Sequence, residues 1–271
     1  IDPGNVKMKP IQGKISSDGY LYVTFSDKVG PNNVTKGYVQ KYNIANGTWT
    51  DITPPISYAC GYSGLALDAN DPQTVVVTTL CLWSKVDNVL VTHDGGESWV
   101  GFWQPGTEED QYELDISDSR WLDWHGQLRL GWWMTGVAMN PFNSDEIMYG
   151  TGATIFGTTN LSALGTGEKV NVTVMCEGIE ETAIDNFVSP KDTEEGAPDL
   201  YSIMADIYGF RHDDATVAPE EHYGDFRSAS IDCGMDNYKV VVRTTADTSF
   251  GKGVWYSLDA GDTWQEVASL P

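Results

Sequence analysis

Short segments rich in Val, Tyr and Thr recur along the chain, and polar clusters of Gly, Asn, Asp and Pro separate them. Such segments are typical of β-strands. No apolar stripe with the 3.6-residue spacing of a helix extends beyond about three turns. The clearest predicted strands are GYLYVTFSD (19–27), GYVQKYNI (37–44), TVVVTTLCLW (74–83), EIMYGTG (146–152), KVNVTVMC (169–176), DLYSIMAD (199–206) and YKVVVRTT (238–245). The pattern predicts an all-β protein.

A motif recurs at a spacing of about 50 residues. THDGGESW (92–99) and SLDAGDTW (257–264) share the pattern [ST]-x-D-x-G-x-[ST]-W, an Asp box, and YNIANGTW (42–49) is a copy without the aspartate. A repeat of about 50 residues containing four short strands is typical of a β-propeller blade. The 271 residues are therefore predicted to form about five blades.

The Asp box is expected to be structural. Its aspartates, Asp94 and Asp259, are predicted to accept backbone hydrogen bonds within a tight hairpin. Gly96 and Gly261 supply the positive φ angles of the turn, while the tryptophans at 99 and 264 pack between sheets.

The charge of the chain narrows the class of ligand. It has 39 acidic and 16 basic residues, for a formal net charge of −23. Such a surface repels nucleic-acid phosphates and anionic membranes but tolerates a neutral ligand. No apolar run approaches the ~20 residues of a membrane helix. We therefore expect no nucleic-acid or membrane partner.

The sequence predicts no cofactor or metal. The four cysteines lie far apart and form no CxxC pair, and the histidines have no metal-ligand spacing such as HExxH. Cys60 and Cys81 either bridge within one sheet or stay as buried thiols. Four Asn-x-Ser/Thr sequons weakly favour secretion. The chain begins at Ile1 without a leader pattern, so we expect a processed protein or a piece of a longer one.

Aromatic residues concentrate in the segment 102–133. It contains six rings with polar tips in a region of low strand content: Trp103, Tyr112, Trp121, Trp124, Trp132 and Trp133. Flat rings suit the C–H faces of pyranose sugars, and loops on a rigid scaffold commonly carry function. The segment is a candidate sugar-binding surface. The alternative is that the rings pack between blades.

Longer motifs resemble glycoside hydrolase family 74, the xyloglucanases. The resemblance is carried by RLGWWMTGVAMNPFNSDEIMYGTGATIFGTTNLS (129–162), GIEETAI (178–184) and YSIMADIYGFRHDD (201–214). GYLYVTFSDKVGP (19–31), NGTWTDITPP (46–55) and GLALDANDPQTVVV (64–77) are similar to earlier parts of the same family. The match runs in order along nearly the whole chain.

This resemblance implies two tandem seven-bladed propellers that face each other across a cleft. The chain would be an internal piece: residues 1–165 would hold later blades of the N-terminal propeller, and 166–271 early blades of the C-terminal one. The remaining blades of the parent chain would be its partners. The implied protein is a secreted endo-β-1,4-glucanase specific for xyloglucan.

The family is inverting and uses two carboxylates, one from each propeller, at a separation of about 6.5–9.5 Å. The segment SASIDCGMDNYKVVVR (228–243) is similar to the one that carries the second, which places a general acid at Asp232. Cys233 stands where the family commonly has an aromatic residue, which changes the packing around the acid. Without the resemblance, the alternative interpretation of Asp232 is a turn-forming residue before a strand. The base belongs to a T-D-V-G-G-A-Y-type segment that this sequence lacks, so the isolated chain is expected to be inactive.

The resemblance also ranks the substrate-binding candidates. YELDISDSRWLDW (112–124) is similar to the family's cleft loop, so Trp121 and Trp124 are the preferred sugar platforms. Further candidates for substrate contact are Tyr112, Trp132, Trp133 and His212. For each ring the alternative is packing in the core, and for His212 it is a satisfied structural histidine.

Two other function classes stay open. The first is a propeller that binds a glycan or a protein without chemistry, as sortilin-like receptors do. The second is a sialidase, for which the arginines lack the expected context. Among the enzymes of family 74, endo-acting and chain-end-specific members are not distinguished by this sequence.

Overall fold

The computed structural model of the protein describes residues 7–123, 129–179, 183–191, 195–205, 207–223, 228–234, 236–245 and 253–268. The chain divides into two compact units. Unit 1 comprises Ile1–Asp115 and Arg129–Ile179, and unit 2 comprises Ile116–Leu128 and Glu180–Pro271.

The described part of unit 1 contains three sheets. Sheet 1 consists of β1 (Lys9–Ile15), β2 (Tyr20–Ser26), β3 (Gly37–Asn43) and β4 (Thr48–Asp51). Sheet 2 consists of β5 (Gly61–Leu67), β6 (Val75–Leu80), β7 (Val89–Thr92) and β8 (Val100–Gly101). Sheet 3 consists of β10 (Gly136–Asn140), β11 (Asn143–Gly150), β12 (Ile155–Thr158) and β13 (Val170–Val174), with β9 (Tyr112–Asp115) added as a fifth strand. Consecutive strands pair antiparallel, whereas β9 lies parallel to β13.

The described part of unit 2 contains two sheets. Sheet 4 consists of β14 (Ile184–Val188), β15 (Leu200–Met204) and β16 (Phe210–His212). Sheet 5 consists of β17 (Ser230–Gly234), β18 (Asn237–Thr244), β19 (Val254–Ser257) and β20 (Gln265–Glu266). The helices among the described residues are two 3₁₀ turns, Arg120–Leu122 and Leu161–Ala163, and each is far too short to cross a bilayer.

The five sheets confirm the all-β prediction and the expected number of blade-like repeats. Every segment predicted above as a strand contains one. One difference is at the end of β6, which stops at Leu80 although the sequence pattern continues to Trp83. Cys81 has a φ of 59°, in the left-handed region, and this conformation ends the strand.

The division into units differs from the expected boundary after residue 165. β13 pairs with β12 and with β9, so it belongs to sheet 3 and the expected boundary falls inside that sheet. The units instead separate between Ile179 and Glu180, and the segment Ile116–Leu128 belongs to unit 2. The assignment of the units to successive propellers stays a prediction.

Buried apolar side chains join neighbouring sheets within each unit. In unit 1 one cluster combines residues of sheets 1 and 2: Tyr22, Val39, Ile52, Tyr62, Leu65, Val75, Val77, Leu90 and Trp99. The Trp99 indole N–H donates to the carbonyl of Ile52, 2.9 Å away, so the box tryptophan of sheet 2 is fixed to sheet 1. In unit 2 the corresponding cluster contains Tyr201, Ile203, Tyr208, Tyr223, Ile231 and Val241.

Polar side chains connect the first strands of neighbouring sheets. Gln12 of β1 accepts a hydrogen bond from the N–H of Leu65 in β5 (3.2 Å) and donates to the carbonyl of Thr135, just before β10 (3.0 Å). In unit 2, Asn186 of β14 accepts a hydrogen bond from the N–H of Ile231 in β17 (3.2 Å). The first strand is the edge of its sheet, so these side chains satisfy backbone groups that the sheet itself does not pair.

Both Asp boxes have the predicted hairpin geometry. The Asp94 carboxylate accepts hydrogen bonds from the Thr92 hydroxyl (2.7 Å) and from the N–H and hydroxyl of Ser98 (2.9 and 2.5 Å). The Thr92 hydroxyl in turn accepts the N–H of Gly96, whose φ of 99° only glycine adopts readily. The second box repeats these contacts through Ser257, Asp259, Gly261 and Thr263.

The boxes predict a specific loss of stability in acid. The hydroxyl and backbone N–H of Thr263 and the hydroxyl of Ser257 lower the pKa of Asp259 to about 2. Since an unfolded aspartate titrates near pH ~4, the stabilisation is fully present above that value and is lost as the pH falls through the folded pKa. Urea unfolding of Asp259→Asn, compared with wild type at a series of pH values, is expected to show a smaller loss of unfolding free energy between pH ~4 and ~2.

Asp118→Asn, at an exposed aspartate in a turn, is the matched control and is expected to retain the wild-type acid dependence. If Asp259→Asn and wild type lost the same free energy over this range, the stabilising role of the ionised box aspartate would be contradicted.

Candidate functional site

Asp232, the predicted general acid, lies in β17, at the edge of sheet 5 and opposite Val242 of β18. The alternation of the strand buries Ile231 in the core and leaves Asp232 exposed. One carboxylate oxygen accepts the N–H of Cys233 at 2.9 Å. The carboxyl group is thus fixed on a strand at a position that a ligand can reach.

The residues on either side of Asp232 hold it in place. Ile231 before it is buried and bonded to Asn186 of sheet 4, as described above. Cys233 after it is half-buried and packs against the core of unit 2. Burial and the Asp232 carboxylate both raise the pKa of the Cys233 thiol, so Cys233 is a neutral packing residue at neutral pH.

His212 lies in β16 and is half-buried. Its Nε2 is 2.8 Å from the hydroxyl of Ser202, a buried residue of β15, and its ring centroid is 5.8 Å from that of Phe210. Burial lowers the pKa of His212, which favours the neutral imidazole. These contacts support the structural alternative, and the substrate-binding role of His212 stays a prediction.

Trp121 is only 9% exposed, in the 3₁₀ turn Arg120–Leu122 of unit 2. It packs in a cluster with Ile207 and Phe210. Burial of both the ring and its neighbours favours the packing alternative over a sugar platform. Trp124, the other preferred platform, lies outside the described residues.

Tyr112 is half-buried in β9, opposite Val170 of β13. Its ring lies 6.4 Å from that of Phe102 with an angle of 28° between the planes. Burial, with a contribution from Asp110, raises the pKa of Tyr112 to about 12, so the phenol is neutral. The contacts made by Tyr112 are those of a packing residue of sheet 3.

Three tryptophans of unit 1 form an exposed group that we call the aromatic platform: Trp83, Trp132 and Trp133. Trp83 and Trp132 are stacked, with ring centroids 5.6 Å apart and an interplanar angle of 20°. The guanidinium of Arg129 lies 4.9 Å from the centre of the Trp132 ring. Trp83 is 52% exposed and Trp133 is 36% exposed, whereas Trp132 lies partly buried beside Trp83. The accessible ring faces of the platform therefore belong mainly to Trp83 and Trp133.

The loop between β2 and β3 fixes the two exposed rings. The carbonyl of Pro31 accepts the indole N–H of Trp83 (2.6 Å), and the carbonyl of Val29 accepts that of Trp133 (3.1 Å). Gly30 between them has a φ of 82°, and a Cβ at this position would lie 2.5 Å from Nε1 of Trp133. Glycine is thus required for the close approach of the loop to the platform.

The geometry provides two separate chemical elements: an exposed carboxyl in unit 2 and exposed indole rings in unit 1. Rings of this kind stack on the C–H faces of sugars, and a carboxyl can donate or accept a proton. Among the described residues, no group of three or more His, Cys, Asp or Glu side chains is arranged to hold a metal ion.

Comparisons with known proteins identify the family. No family model matches the chain. It is 38% identical over 285 residues to the xyloglucanase Xgh74A of Acetivibrio thermocellus, a match that covers 97% of this chain and 33% of that protein. It is 29% identical over 316 residues to an oligoxyloglucan-reducing end-specific xyloglucanase of Emericella nidulans, covering 98% of this chain and 38% of that protein.

A solved structure agrees with these sequence matches. The crystal structure of the GH74 xyloglucanase from Xanthomonas campestris matches the fold with a TM-score of 0.80 and 26% identity, over 97% of this chain and 37% of that one. The chain belongs to glycoside hydrolase family 74. The resemblance found in the sequence is confirmed, and the five sheets are β-propeller blades.

The chain spans about one third of the length of the curated family 74 relatives it matches. The roles of Asp232, of His212 and of the aromatic residues stay predictions.

Trp83 is the candidate that the sequence analysis missed. It lies at the end of a predicted strand, where a large ring is expected to be buried, but the left-handed turn at Cys81 directs the chain out of the sheet. The change from apolar residues to the polar pair Ser84 and Lys85 directly after it was the available signal.

The burial of Trp121 predicts a measurable loss of stability on truncation. Trp121→Ala removes a large ring from a core cluster, so the free energy of unfolding of unit 2 is expected to fall by about 3–5 kcal/mol. Chemical denaturation monitored by circular dichroism measures this change. Trp49→Ala, at a tryptophan that is 44% exposed, is the control and is expected to lose much less. Unchanged stability of Trp121→Ala together with weaker glycan binding would contradict the packing assignment and restore the platform hypothesis.

Proposed function

We propose that this chain is part of an extracellular enzyme that hydrolyses the β-1,4-glucan backbone of xyloglucan. The observation that carries the proposal is the exposed Asp232 carboxyl on an edge strand, in a chain 38% identical to a protein named as a xyloglucanase. An exposed carboxyl on a rigid strand suits general acid catalysis because it can reach a leaving oxygen from a fixed position.

The proposed mechanism is inverting. The protonated Asp232 carboxyl donates its proton to the departing glucosyl oxygen as the glycosidic bond breaks. A second carboxylate removes a proton from a water molecule, which attacks the anomeric carbon from the opposite side. We place this base in a part of the parent protein outside the present chain, because the sequence lacks the segment that carries it in family 74.

The substrate class is supported by the charge and by the platform. A net charge of −23 disfavours an anionic polymer, whereas a neutral glucan pays no such electrostatic penalty. The exposed rings of Trp83 and Trp133 provide flat apolar faces for its sugars. Trp132 then packs against Trp83, and it is not the main ring that contacts the sugar.

We propose that the parent enzyme is endo-acting, so that long products appear before short ones.

We propose further blades of the parent chain as partners. The exposure of Trp49 supports this proposal. Trp49 and Trp99 occupy corresponding places in the repeated motif. Trp99, just before β8, is 8% exposed and donates to the carbonyl of Ile52, just after β4. Trp49 of β4 is 44% exposed, and its ring centroid lies 4.8 Å from that of Tyr42 with the planes tilted by 42°. Because the two tryptophans correspond, we expect another blade of the parent protein to pack against Trp49 as sheet 1 packs against Trp99.

Substitution of Asp232 tests the proposed function. In the parent enzyme, Asp232→Asn retains the shape of the side chain but removes its proton, so the rate of reducing-end release from xyloglucan is expected to fall by about 10³-fold. Asp236→Asn, at an exposed aspartate four residues later, is the matched control and is expected to keep wild-type activity. Full activity of Asp232→Asn would exclude Asp232 as the acid. A parent enzyme that binds xyloglucan but releases no sugar would support the non-catalytic alternative.

The isolated 271-residue chain is expected to release no reducing ends from xyloglucan. Hydrolysis by this chain alone that is lost in Asp232→Asn would show that the base also lies within it.

A further inference from the structure

Asp87 lies in the loop between β6 and β7 and is fully buried. It accepts hydrogen bonds from the hydroxyl of Thr79 (2.8 Å) and from the N–H groups of Leu82 (2.9 Å), Cys81 (3.0 Å) and Met134 (3.3 Å). Burial raises the pKa of Asp87, and these hydrogen bonds oppose the rise. Burying a carboxylate without hydrogen-bond partners costs free energy, so Asp87 needs these contacts to remain in the interior.

The partners of Asp87 lie next to the tryptophans of the aromatic platform. Cys81 and Leu82 directly precede Trp83. On the second segment, Met134 follows the other two tryptophans of the platform, and the N–H of Asp87 donates to the carbonyl of Gly131, which precedes them (3.2 Å). One aspartate therefore joins both of the chain segments that carry platform rings.

Both segments have a backbone conformation that requires such support. Cys81 has a φ of 59° and Trp133 has a φ of 58°, and each is a non-glycine residue in the left-handed region. Residues in this region persist where surrounding contacts fix them, and they concentrate at binding sites. The hydrogen bonds to Asp87 come from the Cys81 N–H itself and from the residue that follows Trp133.

We propose that Asp87 is a positioning residue for carbohydrate binding: its carboxylate sets the place of Trp83, Trp132 and Trp133 without contacting the sugar. The inference rests on the proposed binding of a glucan by the platform. Part of the affinity of the aromatic platform for the glucan then depends on the buried carboxylate of Asp87.

The substitution Asp87→Asn tests the proposal. The amide keeps the volume of the side chain, but its NH₂ group faces a backbone N–H donor where the carboxylate offered an acceptor. The two segments are then expected to shift apart, so that the affinity for soluble xyloglucan, measured by calorimetry on the 271-residue chain, falls about tenfold. The near-ultraviolet circular dichroism of the stacked Trp83–Trp132 pair is expected to weaken in the same variant.

Two further variants distinguish a role of Asp87 in positioning the platform from a general effect on the fold. Trp83→Ala removes an exposed platform ring directly and is expected to weaken binding to a similar extent. Asp94→Asn alters another loop-forming aspartate of the same sheet, between β7 and β8, which holds the Asp box and no platform residue, and is expected to keep wild-type affinity. All four proteins are compared at a temperature where unfolding curves show them folded.

The outcomes separate this inference from the proposed function. Wild-type binding that Trp83→Ala weakens and Asp87→Asn leaves unchanged would overturn the role of Asp87 but not the platform. Equal losses in Asp87→Asn and Asp94→Asn would overturn it too, because a general structural effect would then explain both. If the wild-type chain did not bind xyloglucan, the platform assignment and this inference would both be wrong.

If Asp87→Asn does not fold, Thr79→Val provides the test. It removes the hydrogen bond that Thr79 donates to the carboxylate and the one that its hydroxyl accepts from the N–H of Asn88 (2.8 Å), while keeping the charge of Asp87 and the volume of the site. A loss of affinity of about threefold with a weaker aromatic signal is expected, and unchanged affinity would overturn the proposal.

Discussion

The first strand of each sheet has one edge that no other strand pairs, and the architecture depends on how this edge is satisfied. Gln12 bridges the first strand of sheet 1 to β5 and to the start of β10, and Asn186 bridges the first strands of sheets 4 and 5. In β17 the bond to Asn186 is made by the N–H of the buried Ile231, and Asp232, the proposed acid, is the exposed residue directly after it.

Local chemistry made most of the fold predictable. The hydrogen-bonding groups and glycines of the Asp boxes act within eight residues of sequence, so the hairpins that they form could be inferred from the motif. The end of β6 at Leu80 could not, because the left-handed turn at Cys81 is held by Asp87 and other contacts from outside the strand. The division of the compact units after Ile179 could not be predicted for a similar reason, since β13 is paired by β9 from more than fifty residues earlier.

In the candidate site, too, contacts from distant parts of the sequence decide which side chains are exposed. A tryptophan in a loop-like segment was expected to be available to a ligand, yet Trp121 is buried with Phe210, a residue far along the chain. Trp83 was expected within a strand, yet it is exposed because the loop at Val29–Pro31 and the carboxylate of Asp87 fix its surroundings. Exposure of a ring depends on such non-local contacts, whereas the family motif around Asp232 is contiguous and could be read directly.

We propose that the Asp232 carboxyl protonates the glycosidic oxygen of a bound glucan. A crystal structure of the parent enzyme with a xyloglucan oligosaccharide bound across the cleavage point measures this most directly. We expect an Asp232 carboxyl oxygen within about 3 Å of the glycosidic oxygen. A complex in which another acidic residue occupies that place, with Asp232 out of reach of the sugar, would contradict it.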